Sequence, residues 1–343
     1  MEDISELLAP LLENTDVPSV AAAVVFGSEI RAAGAVGVRK RGDETPVTVN
    51  DKYHVGSCAK AMTATLAGVL VERGLLSWET RIQDVFPEMV IHPGYEPVTL
   101  KQLLSHTSGM PAFTDPSEDV LEDEVWEAVR PPDELRRESV LPAILKEAPR
   151  TTPGESFGYS NMGYITTGAM LEQLTRTPFE TLLQNELFRP LGMTSAGFGA
   201  PATLGAVDQP YGHDPDPVDP QPYGDNPPVL SPAGTAHMSI LDFAKHAAFH
   251  LAGEPKLLSK KTLELLHTPV REGYALGWRV SERPWAGGDG LTHNGSNTMF
   301  LAFAGVAPKK NKALVYATNT GTQEGVDIVV ELFKTLARRY LDK

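Results

Sequence analysis

Ser57 and Lys60 stand three residues apart in Ser57-Cys58-Ala59-Lys60, at the head of a long apolar stretch. Residues at that spacing share a helix face, so the amine can reach the hydroxyl. An amine beside a hydroxyl can turn a poor alcohol into a nucleophile, and the chemistry this suggests is acyl transfer. Two more clusters carry groups that could complete such a site. Tyr159-Ser160-Asn161 follows a turn at Pro153-Gly154, and His293-Asn294-Gly295 enters a late run of strand-like segments.

Each group has a plainer explanation to set beside this one. A serine opening a helix is commonly an N-cap. Ser57, however, follows Gly56, which permits close approach, and it opens a helix whose N-terminal amides can face a developing oxyanion. Lys60 either snorkels to solvent or is buried among apolar neighbours, where its pKa falls and it becomes a proton acceptor near neutral pH. Tyr159 is a packed loop tyrosine or a proton relay; Asn161 offers a carboxamide to a substrate carbonyl or to Lys60. The pattern His-x-Gly recurs at His54, His92 and His293, and only His293 leads into a strand.

Competing motifs are weaker. Gly154-Glu155-Ser156-Phe157-Gly158 matches G-x-S-x-G, but Thr151-Thr152-Pro153 precedes it where a nucleophile elbow needs a buried strand. His246 and His250 share a helix face without the glutamate of a zinc protease, since Ala247 stands there. No phosphate-binding loop is present, and Cys58 reads as a packing residue.

Several elements must position these groups. Val17–Phe26 and Ile30–Arg39 read as a hairpin of mostly buried strands around Gly27-Ser28. Ser57–Arg73 is apolar on every face, as an internal helix is, and Gly74 stops it. Met1–Asn14 has helical spacing at Ile4, Leu7, Leu8, Leu11 and Leu12. Residues 98–105, 139–147, 163–176 and 179–187 are candidate helices, and Ser239 caps another that runs to about His250. The proline-dense stretch 209–232 is a long loop. Residues 273–280, 290–293, 298–306 and 312–319 read as strands, before a last helix over 324–340.

The expected fold is therefore α+β, with one sheet assembled from residues 1–74 and 270–343. A mostly helical lobe over 75–269 would be inserted between them, with a cleft at the junction.

The chain has 343 residues and a net charge of −14, from 30 basic and 44 acidic side chains. That balance disfavours nucleic acid as a partner, and Lys309-Lys310-Asn311-Lys312 reads as a solvated turn between strands. One cysteine rules out an intrachain disulfide and a multi-cysteine metal site. No membrane-spanning run and no leader pattern is visible, so a cytoplasmic location is expected, and a processed secreted form fits the same residues.

Together the three clusters resemble the serine β-lactamase and penicillin-binding protein superfamily, most closely its class C branch of D,D-carboxypeptidases, D-aminopeptidases and esterases. Connecting segments share the resemblance, among them Leu103–Pro111, Phe188–Met193 and Ser231–Gly234, so it covers most of the chain. It implies a β-lactamase/transpeptidase-like fold, an antiparallel sheet flanked by helices beside a helical lobe. It further implies that Ser57 is acylated, Lys60 accepts its proton, and Tyr159 shuttles a proton to the leaving group and activates water. The amides of Ser57 and Ser296 would form the oxyanion hole, with Asn161, His293 and Gly295 binding substrate. No metal or cofactor is required.

Two departures bear on substrate. His293-Asn294-Gly295 stands where class C β-lactamases usually carry Lys-Thr-Gly, and Phe113 falls where they tend to carry a substrate-binding glutamine. Both disfavour β-lactam hydrolysis, and a neutral histidine weakens carboxylate recognition. The expected activity is hydrolysis of small esters or amides through an acyl-enzyme, with carboxylesterase first. D,D-carboxypeptidase or D-aminopeptidase activity, weak β-lactamase activity, and a non-catalytic binding protein retaining the fold are the alternatives. The oligomeric state is left open.

Overall fold

Strands from both ends of the chain build one sheet in the computed structural model, which describes residues 1–114, 130–221, 224–254 and 256–342. The strands among these residues are β1 (Glu2–Asp3), β2 (Ser19–Phe26), β3 (Glu29–Gly37), β4 (Lys52–His54), β5 (Gly197–Phe198), β6 (Gly212–His213), β7 (Pro217–Val218), β8 (Ala236–Ser239), β9 (Arg279–Arg283), β10 (Gly288–Ser296), β11 (Leu301–Ala307) and β12 (Lys312–Thr318). Seven of them form a sheet in the order β1-β3-β2-β12-β11-β10-β9. Every pairing in it is antiparallel except β1 with β3, where two residues run parallel. A small sheet, β4-β8-β5, and the β6-β7 ribbon complete the β structure.

Both faces of the large sheet are covered, which is why its central strands are apolar at nearly every position. Ala21, Ala23 and Val25 of β2 face one core with Val315 and Ala317 of β12. Val20, Ala22 and Val24 face the other with Leu314 and Tyr316, against Leu332 and Leu336 of the Gln323–Leu336 helix. The first core is filled by the Ala59–Glu72 helix, buried continuously from Ala59 to Leu70, and by the Ile240–Ala252 helix, which packs on β12 and β2. A separate cluster, including Val98, Leu103, Leu141, Met162 and Ile165, holds helices of the middle region together. The α+β arrangement expected from the strand and helix pattern is present.

Local departures have local causes. Met1–Asn14 is not one helix: β1 pairs with β3, Ser5–Leu8 is helical, and Pro10 sits in the 3-10 turn Ala9–Leu12 that follows. Residues 273–278 do not join the sheet as a strand, because Gly273 and Gly277 adopt left-handed φ of +73° and +81°; pairing begins at Arg279. The proline-dense segment is a loop carrying the β6-β7 ribbon and a 3-10 turn at Pro228–Leu230; its Pro222 and Tyr223 lie outside the described residues. The lysine-rich turn does join β11 to β12, and Lys310 and Lys312 donate to the carbonyls of Leu341 and Tyr340 at the chain's end. No helix among the described residues is long and apolar enough to cross a membrane.

The Asn161–Thr175 helix is anchored at its start by Ser160, whose Oγ accepts from Gly163 N–H at 3.0 Å and donates to Pro111 O at 2.6 Å. Ser160→Ala removes a cap and strands a carbonyl, so it should destabilise the fold by about 1–2 kcal/mol. A lower urea midpoint at unchanged slope is the expected reading; an unmoved midpoint would show that the cap contributes nothing.

Candidate active site

The Ser57 hydroxyl lies between an amine and a phenol. Lys60 Nζ is 3.0 Å from Ser57 Oγ, and Tyr159 Oη donates to the same oxygen at 2.9 Å. Ser57 is half-buried and in the 3-10 turn Gly56–Cys58 that leads into the Ala59–Glu72 helix. It is not the helix cap: that position is Cys58, which makes no side-chain capping bond. Lys60 is completely buried, and its second partner is the Ala233 carbonyl at 2.8 Å. Loss of hydration pulls its pKa down to about 7, so a neutral amine is abundant at neutral pH. Burial pushes the Tyr159 phenol the other way, well above the usual tyrosine range, so it remains a proton donor.

Backbone crowding holds this turn in place. A Cβ on Gly295 would lie 1.9 Å from Val55 O and 2.9 Å from Ser57 N, and one on Gly56 would lie 2.3 Å from Ser296 N. Strand β10 therefore runs against the turn with no room for side chains, and the amides of Ser57 and Ser296 are brought to one place. The Ser57 amide belongs to the first turn, where N–H groups have no acceptor within the helix. Gly56 also needs its left-handed φ of +49°.

A cavity of about 240 Å³ opens on Ser57, lined by Tyr159, Tyr274, Arg279, Thr292, His293 and Asn294. His293 Nδ1 lies 2.7 Å from Asn294 O, a carbonyl that can only accept, so Nδ1 carries the proton. Its Nε2 then accepts from Tyr274 Oη at 3.1 Å. Burial, reinforced by the charge of Lys60, lowers the His293 pKa to about 3, and the ring is neutral.

Three residues outside the three motifs also belong to this neighbourhood: Tyr274 and Arg279 line the cavity, and His106 packs behind Tyr159. His106 accepts Ser160 N–H on Nδ1 at 3.1 Å, and its carbonyl accepts Gly158 N–H at 2.8 Å, so it fixes the backbone on both sides of Tyr159. Its ring also packs on Tyr159 and Tyr274, with centroids 4.3 and 4.6 Å apart. Burial, then the charge of Lys60, hold it far below the usual histidine range. The available signal for His106 was its place in Leu103–Pro111. For Tyr274 and Arg279 it was the Gly273 and Gly277 turns beside the late strands.

Other candidates lie elsewhere. Asn161 donates from Nδ2 to Phe113 O at 2.8 Å and makes no bond to Lys60, which is oriented by Ala233 instead. Its Oδ1 is buried without a partner among the described residues. Phe113 does not reach the Ser57 cavity: its side chain lines a separate space of about 290 Å³ with Tyr95, Ile144 and Arg150. The left-handed φ of 51° at Phe113 accompanies that placement. The Ser296 side chain accepts from Thr298 N–H at 2.9 Å and is exposed.

Ser156 sits in a turn with no strand before it and does not line the cavity. His54 and His92 accept from the amides two residues on, Gly56 and Gly94. His250 bridges His267 and His246 at 2.9 and 3.2 Å, one on each ring nitrogen, and burial keeps all three neutral. Cys58 Sγ packs against His293 O at 3.3 Å, and burial raises its thiol pKa.

The family model for Beta-lactamase matches residues 4–336. The chain belongs to the Beta-lactamase family of serine hydrolases. It is 28% identical to penicillin-binding protein 4 of Amycolatopsis lactamdurans, over 94% of this chain and 86% of that one. It is 26% identical to the unguisins hydrolase ungD' of Aspergillus campestris (strain IBT 28561), over 93% of this chain and 61% of that one, less than two thirds of its length. The fold is shared with a D-stereospecific amidohydrolase from a Streptomyces species, at a TM-score of 0.71 and 22% identity over 95% of each chain.

Gly295→Ala should cost at least about tenfold in turnover and lower the melting temperature, because a Cβ cannot fit without parting β10 from the Ser57 turn. Normal turnover in that variant would contradict the crowding. Lys60→Met should abolish turnover yet raise stability. Between about pH 7 and the ordinary lysine value of 10.5, the unfolded chain holds more protons at Lys60 than the folded one. The native protein should therefore gain stability as pH rises through this window, and Lys60→Met should flatten that dependence. Urea titrations of both proteins across the window would read it; parallel curves would mean Lys60 is not depressed.

Proposed function

We propose that this chain hydrolyses small esters, and more slowly amides, through an acyl-enzyme on Ser57. The observation that carries this reading is one hydroxyl held within 3.0 Å of a buried amine and a half-buried phenol. Neutral Lys60 takes the Ser57 proton as Oγ attacks the carbonyl carbon. The oxyanion forms against the amides of Ser57 and Ser296, where preorganised donors contribute about 3–4 kcal/mol each. Tyr159 passes its proton to the departing oxygen, and the phenolate recovers the one that Lys60 received. Water then repeats the sequence on the acyl-enzyme, releasing the acid and restoring Ser57.

A phenol pushed this far up is a weak acid, and an alkoxide or phenoxide needs less help in leaving than an amine does. That favours carboxylesterase activity over peptidase activity. Likeness to a D-stereospecific amidohydrolase keeps D-aminoacyl amides as the second reading. Neutral His293 supplies no fixed charge on β10, so β-lactam turnover should be slow. The expected location remains the cytoplasm and the expected partner a small molecule.

A p-nitrophenyl ester series run beside D-alanyl p-nitroanilide and nitrocefin tests the ranking. Ester hydrolysis should rise with pH through a limb near 7 as Lys60 loses its proton. Ser57→Ala should remove it, and Tyr159→Phe should lower it about 100-fold or more. A fluorophosphonate adduct located on any residue other than Ser57 would overturn the assignment.

A further inference from the structure

Asp225 and Asn226, from the proline-dense loop, hold the backbone around Ser57 from outside the cavity. Neither residue lines that cavity, and the acyl-transfer steps use neither. Three segments crowd the Ser57 amide: the turn entered through His54, the end of β10, and the short helix Ser231–Gly234. A Cβ on Gly234 would lie 3.3 Å from Ser57 N. The loop dipeptide contacts all three. Asp225 Oδ1 accepts from Asn297 Nδ2 at 2.8 Å and lies 3.0 Å from His54 Nε2, and Asn226 Nδ2 donates to Gly234 O at 2.8 Å.

Two of these contacts end beside the oxyanion donors. His54 Nδ1 accepts Gly56 N–H at 3.1 Å, so the ring proton sits on Nε2, toward the carboxylate. That contact is electrostatic rather than an aligned hydrogen bond. Asn297 directly follows Ser296, and its Oδ1 accepts the Phe300 amide at 2.9 Å, which closes the turn after β10. All three side chains are sheltered, Asp225 with 9% of its side chain exposed, so water competes little for these contacts. Asp225 Oδ2 is buried without a partner among the described residues. A buried oxygen left unpaired is costly, so stability alone does not account for the residue.

We propose that Asp225 is a positioning residue for the oxyanion hole. It ties the segment ahead of Ser57 to the segment after Ser296 and so fixes the separation of their two amides. This rests on the hydrolase reading above and adds no step to it. Acylation and deacylation both pass through an oxyanion held by the same amides, so misplacing one slows both steps by a similar factor. kcat then falls, while KM, which depends on the ratio of the two rates, stays nearly constant.

Turnover of p-nitrophenyl acetate and inhibition by phenylboronic acid, whose tetrahedral adduct on Ser57 mimics the oxyanion, provide the readout. Asp225→Ala should lower kcat at least about tenfold, raise the boronate Ki by a similar factor and leave KM within about twofold. Asp225→Asn keeps an oxygen for Asn297 but not the charge, and should lose about threefold. Asn297→Asp sets two carboxylates against each other and should behave as Asp225→Ala does; it carries the same test if Asp225→Ala does not fold. The rising pH limb near 7 should stay in place in every variant, because Lys60 is held by Ser57 and Ala233. Wild-type kcat and boronate affinity in the folded variants, a raised KM at unchanged kcat, or a displaced limb would each overturn the Asp225 assignment while Ser57-dependent hydrolysis stands. If the wild-type protein shows no Ser57-dependent ester hydrolysis, the hydrolase reading falls and takes this proposal with it.

Discussion

A lysine amine sealed from water, with no carboxylate beside it among the described residues, is the constraint to which the rest of this site answers. Burial is what lowers the pKa of its ammonium group to about 7. Here the charged form is partly compensated by the Ala233 carbonyl and by the faces of Tyr159 and Tyr164, 4.9 and 5.5 Å from Nζ to ring centroid. Those contacts suit a base poised near the operating pH. A carboxylate partner would return Lys60 to permanent charge and end its use as a proton acceptor. Among the described residues the amine has no ion pair, and the packing of a helix that is buried on every side keeps it so.

Position follows from backbone contacts rather than from side-chain bonds. Gly56 and Gly295 let the Ser57 turn and strand β10 meet with backbone against backbone, and Gly234 and Gly277 approach the same segment from other sides, near Ser57 N and Lys60 O. Side chains relax; crowded peptide planes do so far less. An arrangement of this kind can hold two amides at a constant separation while substrate, acyl group and water succeed one another in front of them.

The convergence of Ser57, Lys60, Tyr159 and His293 on one cavity was legible because each sits in a short motif whose local geometry is nearly self-contained. The buried helix, the β2-β3 hairpin and the late strands were legible because their apolar periods are long. The rest depended on distant partners. Nothing near Phe113 in sequence announces the turn that sends its ring to another cavity. The spacing of Ile4, Leu7 and Leu8 suits a helix, but β1 forms because β3 offers an edge. Arg279 and Tyr274 are ordinary in their own segment and become part of the site only when β9 is laid beside β10. His106 acts through its main chain as much as its ring, and composition carries no trace of that.

The pairing of β2 with β12 sets Ala22 opposite Tyr316, so the middle of the sheet joins the first and last parts of the polypeptide. On the ribosome, the hairpin made early must wait until β12 has been synthesised, on the order of tens of seconds at usual synthesis rates. During that interval β2 presents an unpaired apolar border, the kind of edge that recruits chaperones or aggregates. Closing so long a loop is also slow once the nascent chain is free. Recovery from denaturant should accordingly be governed by this last zippering step and be sensitive to protein concentration.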